Sequence, residues 1–356
     1  MPGPNRDNAP ETGPTIIRVN PPNPWKSASY SSPSSSSSRH HRLSPHPNGI
    51  SMILRRWFFI AAAVVVAALG TRSACAAEAA DAGDAPHVVF VTGDDEYSSE
   101  LSMPMLAAIL EKRYGVKTTV LYAENDKGER DRHANSIPGL EALRDADLAV
   151  FYMRFRQLPQ EQLDEIVKYA ESGRPIVGLR TSSHAFNYPG PPQDRWNAEF
   201  PMTYFGHKWI SHYGHGNTTE AYVVESEAKA DNPILRGVAP QEWLNSWLYV
   251  VNDGDVKLPE DCKVLLVGDA TKGTEPGGEK FGNREPMTWT RELPTKEGSV
   301  QRVFFTTLGH PRDFLKEAPR RLLVNAILWG LGREEAIPAG GTDVEFVGEY
   351  VPPDPH

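Results

Sequence analysis

The sequence predicts an α/β protein built on a doubly wound, mostly parallel sheet with extra antiparallel strands. Three observations carry that reading. Short apolar, β-branched runs alternate with amphipathic helical stretches, the pattern of parallel sheets covered on both faces. Several runs break straight into polar residues with no turn signal, as strands do when they deliver side chains to the carboxyl edge where such sheets bind ligands. The chain has 356 residues, yet its first 86 lack core-forming sequence, which leaves a single domain of about 250 residues.

His87-Val88-Val89-Phe90-Val91 reads as the first central strand, running out through Thr92-Gly93 into Asp94-Asp95-Glu96-Tyr97. A helix is expected from Met103 to Tyr114, with Ser102 as N-cap, Pro104 in the first turn and Gly115 at the stop. Lys117 to Tyr122 and Leu148 to Met153 are the second and third strands, the third ending in Arg154-Phe155-Arg156. Pro159 to Ser172 puts Leu163, Ile166, Val167 and Ala170 on one helical stripe and closes at Gly173. The fourth strand, Pro175 to Leu179, delivers Arg180 and His184. Strands one, three and four are expected to be central neighbours.

Residues 186–219 form a Pro-, Gly- and aromatic-rich excursion holding Trp196, His207, Trp209, His212 and His215. Loops of that length are usually functional. Apolar runs at Ala221–Val224, Trp247–Val251, Val264–Val267 and Met287–Trp289 predict further strands, some antiparallel. The last strand, Val303 to Thr307, leads into Leu308-Gly309-His310-Pro311, and a helix from Ala318 to Gly330 closes the domain.

The domain is expected over 87–335, with a C-terminal tail at 336–356. Ahead of it, residues 1–51 are a Pro- and Ser-rich extension with the composition of disorder. Residues 52–77 form a signal peptide: Arg55-Arg56, an apolar run from Trp57 to Leu69, and the cleavage pattern Ala74-Cys75-Ala76. The arginine pair resembles a twin-arginine export signal, and the apolar run is short for a membrane span. The expected destination is the periplasm or the exterior, with 78–86 as a linker and no stable membrane span in the mature chain. Cleavage removes eight of 37 basic and two of 46 acidic residues, leaving 29 against 44 and a net charge of −15. So acidic a protein is not expected to bind nucleic acid. It would keep one cysteine, Cys262, and so no internal disulfide.

Gly178-Leu179-Arg180 after a strand and Gly309-His310-Pro311 after a late strand resemble the elbow and histidine motif of the class I glutamine amidotransferase-like fold, a flavodoxin-like architecture. More specifically, Val91-Thr92-Gly93-Asp94-Asp95-Glu96-Tyr97, Arg180-Thr181-Ser182-Ser183-His184-Ala185-Phe186 and Thr306-Thr307-Leu308-Gly309-His310 resemble the ThuA-like, or trehalose utilisation, family. The likeness runs from about His87 to Gly332. It implies a role in carbohydrate utilisation, with a small carbohydrate as ligand. It departs from the amidotransferases at the elbow, where a guanidinium that never deprotonates stands in place of the nucleophilic cysteine, which excludes glutaminase chemistry.

The expected function is acid–base chemistry on a glycoside or modified sugar at the carboxyl edge of the sheet; a sugar-binding module without turnover is the alternative. His184, His310, Asp95 and Glu96 are the candidate proton movers. Asp94, Tyr97, Arg154, Arg180, Thr181 and Trp209 are the candidate substrate contacts. The acids are either acceptors for hydroxyls or a cation, or a solvated turn; Arg154 and Arg180 either form a structural ion-pair network or grip an oxygen-rich ligand. Asp313 either orients His310 or caps the following turn. His212-x-x-His215 has spacing for a divalent metal such as zinc, the alternative being a hydrated histidine-rich loop. Trp196, Trp209, Trp247 and Trp289 are either platforms for a sugar ring or core anchors.

Overall fold

The computed structural model describes residues 85–214 and 216–353. The 1–51 extension, the signal peptide at 52–77, most of the linker, His215 and the last three residues of the tail lie outside them.

Strands β1 (His87–Gly93), β2 (Lys117–Leu121), β3 (Leu148–Met153) and β4 (Ile176–Leu179) pair in parallel in the order β2-β1-β3-β4. Between them lie helices α1 (Ser99–Tyr114) and α2 (Gln160–Glu171). Strands one, three and four are neighbours, as their near-continuous apolar sequences require. The excursion after β4 contains the short helix α3 (Trp196–Phe200) and β5 (Ser211–His212). Then come β6 (Asn217–Val223), helix α4 (Glu225–Lys229), β7 (Gln241–Leu244), β8 (Tyr249–Val250), β9 (Lys263–Lys272), β10 (Lys280–Pro294) and β11 (Val300–Thr306), with helix α5 (Glu317–Gly330) closing the chain. β11 pairs in parallel with β4; from there the sheet continues antiparallel through β10, β9 and β6 to β7 at the far edge. β5 and β8 form a separate antiparallel ribbon.

Strand alternation builds the two faces. Val88, Phe90, Leu148, Val150 and Tyr152 join the core with Leu106 and Leu110 of α1 and Leu323 and Ile327 of α5. Val89, Val91, Ala149, Phe151 and Met153 join the other core with Leu163, Ile166 and Tyr169 of α2 and with Phe200 and Phe205 of the excursion. Phe205 packs directly over β4, where a Cβ at Gly178 would lie 2.4 Å from its ring. Glycine there lets the excursion close onto the sheet.

Several local expectations are corrected. α1 starts at Ser99, four residues early, and Ser102 is a buried position inside it. The chain turns into α1 on different groups: the Asp94 carboxylate accepts from Tyr97 N at 2.5 Å, and the Ser99 hydroxyl accepts from Asp94 N at 3.2 Å. The runs at 264–267 and 287–289 are the start and the middle of strands of 10 and 15 residues. The run at 247–251 contributes two strand residues, to the ribbon.

Candidate functional site

β4 ends at Leu179, and Arg180 turns the chain with φ +41, a left-handed value that a long side chain adopts only under constraint. Its surroundings supply the constraint. The guanidinium is wholly enclosed: Nη1 donates to Thr307 O at 2.7 Å and Trp247 O at 3.2 Å, and Nη2 to Tyr97 Oη at 3.0 Å. It lies 4.2 Å from the Tyr97 ring centre and 4.8 Å from that of Tyr249, while Nε has no hydrogen-bond partner. No carboxylate forms an ion pair with this cation among the described residues; two aromatic faces and three oxygens stabilise it instead. Arg180 therefore ties β1, β4, the end of β11 and the 247 segment together from beneath the site. The expectation that it grips a ligand directly does not fit this enclosure.

Tyr97 relays that cation outward. Its hydroxyl accepts from Arg180 and donates to Glu96 Oε1 at 3.1 Å. Glu96 Oε2 lies 3.0 Å from Arg154 Nε, a pairing by charge off the line of the N–H, and Arg154 Nη1 donates to Asp95 Oδ1 at 2.9 Å. Asp95 also faces Arg156 at 3.5 Å and His133 at 3.6 Å. Burial alone would raise the Asp95 carboxyl, but Arg154 and Arg156 hold it below the usual range. Asp95, expected to move protons, sits as a fixed anion in an arginine clamp; Glu96 is the more open of the two. Arg156, not among the expected site residues, is buried and also donates to three backbone carbonyls.

Asp94 is buried, accepting from Tyr97 N and from Thr181 Oγ1 at 3.2 Å. Burial, reinforced by Glu96 and Asp95 nearby, pushes its carboxyl up to about 7. Thr181 is equally enclosed. Both are enclosed behind Tyr97 and hydrogen-bonded to each other.

His184 is 5% exposed. Its ring lies 4.8 Å from Phe155 and 4.9 Å from Trp209, centre to centre, and 6.4 Å from Tyr249. Burial, then the charges of Arg154 and Arg180, depress its pKa well below the ordinary histidine value, which keeps it neutral at pH 7. From it a belt of rings runs outward: Trp209 to His212 at 6.3 Å, His212 to Trp247 at 4.9 Å, Trp247 to Tyr97 at 6.5 Å, and Tyr97 to His310 at 6.2 Å. Trp209, His212, Trp247 and His310 are half-buried and form the rim.

His310 caps the turn that follows it, its Nδ1 accepting from Arg312 N at 3.2 Å, which leaves Nε2 as the protonated nitrogen of the neutral ring. Asp313 does not cap the following turn, which His310 caps itself, and it orients His310 only indirectly. It is buried and accepts from Asn245 N at 2.5 Å and from Ser246 N and Oγ at 3.1 and 2.6 Å. Ser246 Oγ in turn accepts from Gly309 N and His310 N, so Asp313 places His310 through its backbone. Trp289 is a core residue, its indole donating to Phe205 O. Cys262 is half-buried and its thiol is pushed up by burial to about 12, so it offers no thiolate. His212 lies in the rim and its expected partner His215 lies outside the described residues. Among the described residues no group of three or more His, Cys, Asp or Glu is placed to hold a metal.

Polar residues that follow β1, β3 and β4 thus meet an aromatic rim at the carboxyl edge of the sheet, in an α/β protein of mixed parallel and antiparallel strands. The family model for ThuA, trehalose utilisation, matches residues 88–330, and the chain belongs to that family. Two solved thua-like proteins are similar to it in shape. One from Bacteroides uniformis has 15% identity and a TM-score of 0.47, covering 71% of this chain and 94% of its own. One from Parabacteroides merdae has 14% identity and a TM-score of 0.47, covering 70% and 91%. No curated protein matches the chain. Among the described residues, no helix is long and apolar enough to cross a membrane.

Proposed function

We propose that this ThuA-family chain is an exported enzyme of carbohydrate catabolism that acts on a glycoside or modified sugar by acid–base chemistry. The observation that carries the reading is the junction of the belt of rings with Glu96 and His310. Aromatic faces suit the C–H faces of a sugar ring, and a carboxylate and an imidazole beside them suit its hydroxyls and the proton transfers of its chemistry. On this reading His310 moves the proton, Glu96 and Arg154 hold hydroxyls, Trp209 and Trp247 stack on the ring, and Asp94, Thr181, Arg180 and His184 position these groups from behind.

One observation favours the alternative of a sugar-binding module. Asp95 and His184, two of the four expected proton movers, are held in fixed charge states. Titrating the purified mature chain with mono- and disaccharides, with and without a chelator, and assaying the mixtures for turnover tests the reading. Product formation supports the enzyme; binding without product supports the module; neither removes both. The export proposal rests on the Arg55-Arg56 pair, the apolar run and the Ala74-Cys75-Ala76 pattern. Mass spectrometry of the native protein should find its N-terminus close to Ala77, and a native chain retaining Met1 would contradict it.

A further inference from the structure

Beyond the rim lies a groove of about 400 Å3, bordered by Trp243, Asn245, Trp247 and His310. Its wall follows from strand alternation. Around the end of β7, Leu244, Ser246 and Leu248 are buried, which leaves Trp243, Asn245 and Trp247 half-exposed on the opposite side. Trp243 is fixed in place: its indole Nε1 donates to the buried Thr218 hydroxyl at 3.0 Å, and the Lys316 ammonium lies 5.0 Å from its ring centre. A pinned indole is a platform that loses little freedom when a ligand stacks on it. Trp247 belongs to both regions, lying against His212 in the belt and bordering the groove. His310 does likewise through Tyr97. The groove therefore begins where the proposed chemistry occurs.

Its charge is balanced. Lys316 Nζ is 2.7 Å from Glu242, and Glu275 borders the groove together with Arg312. Balanced charge with aromatic faces and an amide suits a neutral, hydroxyl-rich ligand, and the volume falls in the range that holds a drug-sized molecule, about two sugar rings. We infer that the groove is a set of further subsites for a neutral oligosaccharide chain, so that the preferred ligand extends past a disaccharide, with Trp243 the platform furthest from His310 along the chain. This rests on the reading that the edge site takes a sugar.

The test is a calorimetric titration with neutral gluco-oligosaccharides, α- and β-linked, of one to five units. Affinity should rise roughly fivefold to tenfold between two and four units, the worth of one added aromatic stacking contact. Trp243→Ala should abolish that rise while leaving disaccharide affinity within about twofold, and Trp243→Phe should keep most of it. Melting temperatures and the unchanged disaccharide affinity verify that the variants are folded. A plateau at two units, an equal loss at every length in Trp243→Ala, or tighter binding of oligouronates than of neutral chains would overturn the inference. Disaccharide binding with no length dependence defeats it alone; no binding of any saccharide defeats the sugar reading with it.

Discussion

The parallel and antiparallel halves of the sheet serve the site differently. The parallel half supplies charge and encloses it: Asp94, Arg156, Arg180 and His184 come from the ends of β1, β3 and β4 and are buried. The antiparallel half supplies surface, since Trp243 in the far-edge strand β7 and Trp247 just beyond it remain half-exposed. Trp209 of the excursion joins the two through His184. The difference teaches that conspicuous charged residues at a strand end need not face outward; here they are buried and hold the rim residues in place. Substitutions of the buried residues of the parallel half should therefore appear in stability, and substitutions at the rim in ligand affinity.

The largest expected effect is that of Arg180→Ala. It opens a cavity and leaves Trp247 O, Thr307 O and Tyr97 Oη without their donor, a loss of about 3–5 kcal/mol of stability in urea denaturation. A loss under about 1 kcal/mol, within the range of ordinary surface changes, would break the comparison, because Arg180 would then be no anchor.

Next comes Asp94, which gives the parallel half a pH dependence. Its folded pKa, about 7, lies above the ordinary 3.8, so the folded chain holds a proton that the unfolded chain releases. The contribution is fully present below about pH 4 and is lost as pH rises through about 7. Asp94→Asn, which keeps an acceptor for Tyr97 N, should flatten this slope by up to about 4 kcal/mol between those limits. Urea midpoints across that window check it, and an unchanged slope contradicts it.

The rim effects are smaller. Trp247→Ala should weaken sugar binding by about 1 kcal/mol with little effect on the urea midpoint. Trp209→Ala uncovers His184, whose depressed pKa should move up toward the ordinary histidine value in an NMR titration; a ring that still titrates where it did would show that burial by Trp209 is not the cause.

Much of the parallel half was legible because burial on both faces writes itself into sequence as apolar runs: β3 falls on the predicted residues, and α2 and α5 within one residue at each end. The start of α1 was not, because Asp94 and Ser99 organise the turn at a distance from the serine that looks like a cap. The roles within the site were the least legible. Asp95, Glu96 and Arg154 read alike as polar residues at a strand end, and only their partners separate the clamped Asp95 from the more open Glu96. Asp313 lies three residues from His310, yet its carboxylate reaches across to Ser246, a contact between segments 67 residues apart. The alternation Trp243-x-Asn245-x-Trp247 was present in the sequence as a period of two, but it straddles the end of β7 and so did not read as a strand.

The central claim is that the edge site turns over a sugar with His310 as its proton carrier, and it is tested most directly by measuring kcat and ligand affinity on the native chain and on His310→Ala. The account predicts a kcat lower by roughly 100-fold or more, the worth of one general acid or base, with affinity changed little. No turnover in either protein, with an affinity change of about 1–2 kcal/mol, would make the protein a binding module. An active chain whose rate ignores the substitution would contradict the account by removing His310 from the mechanism.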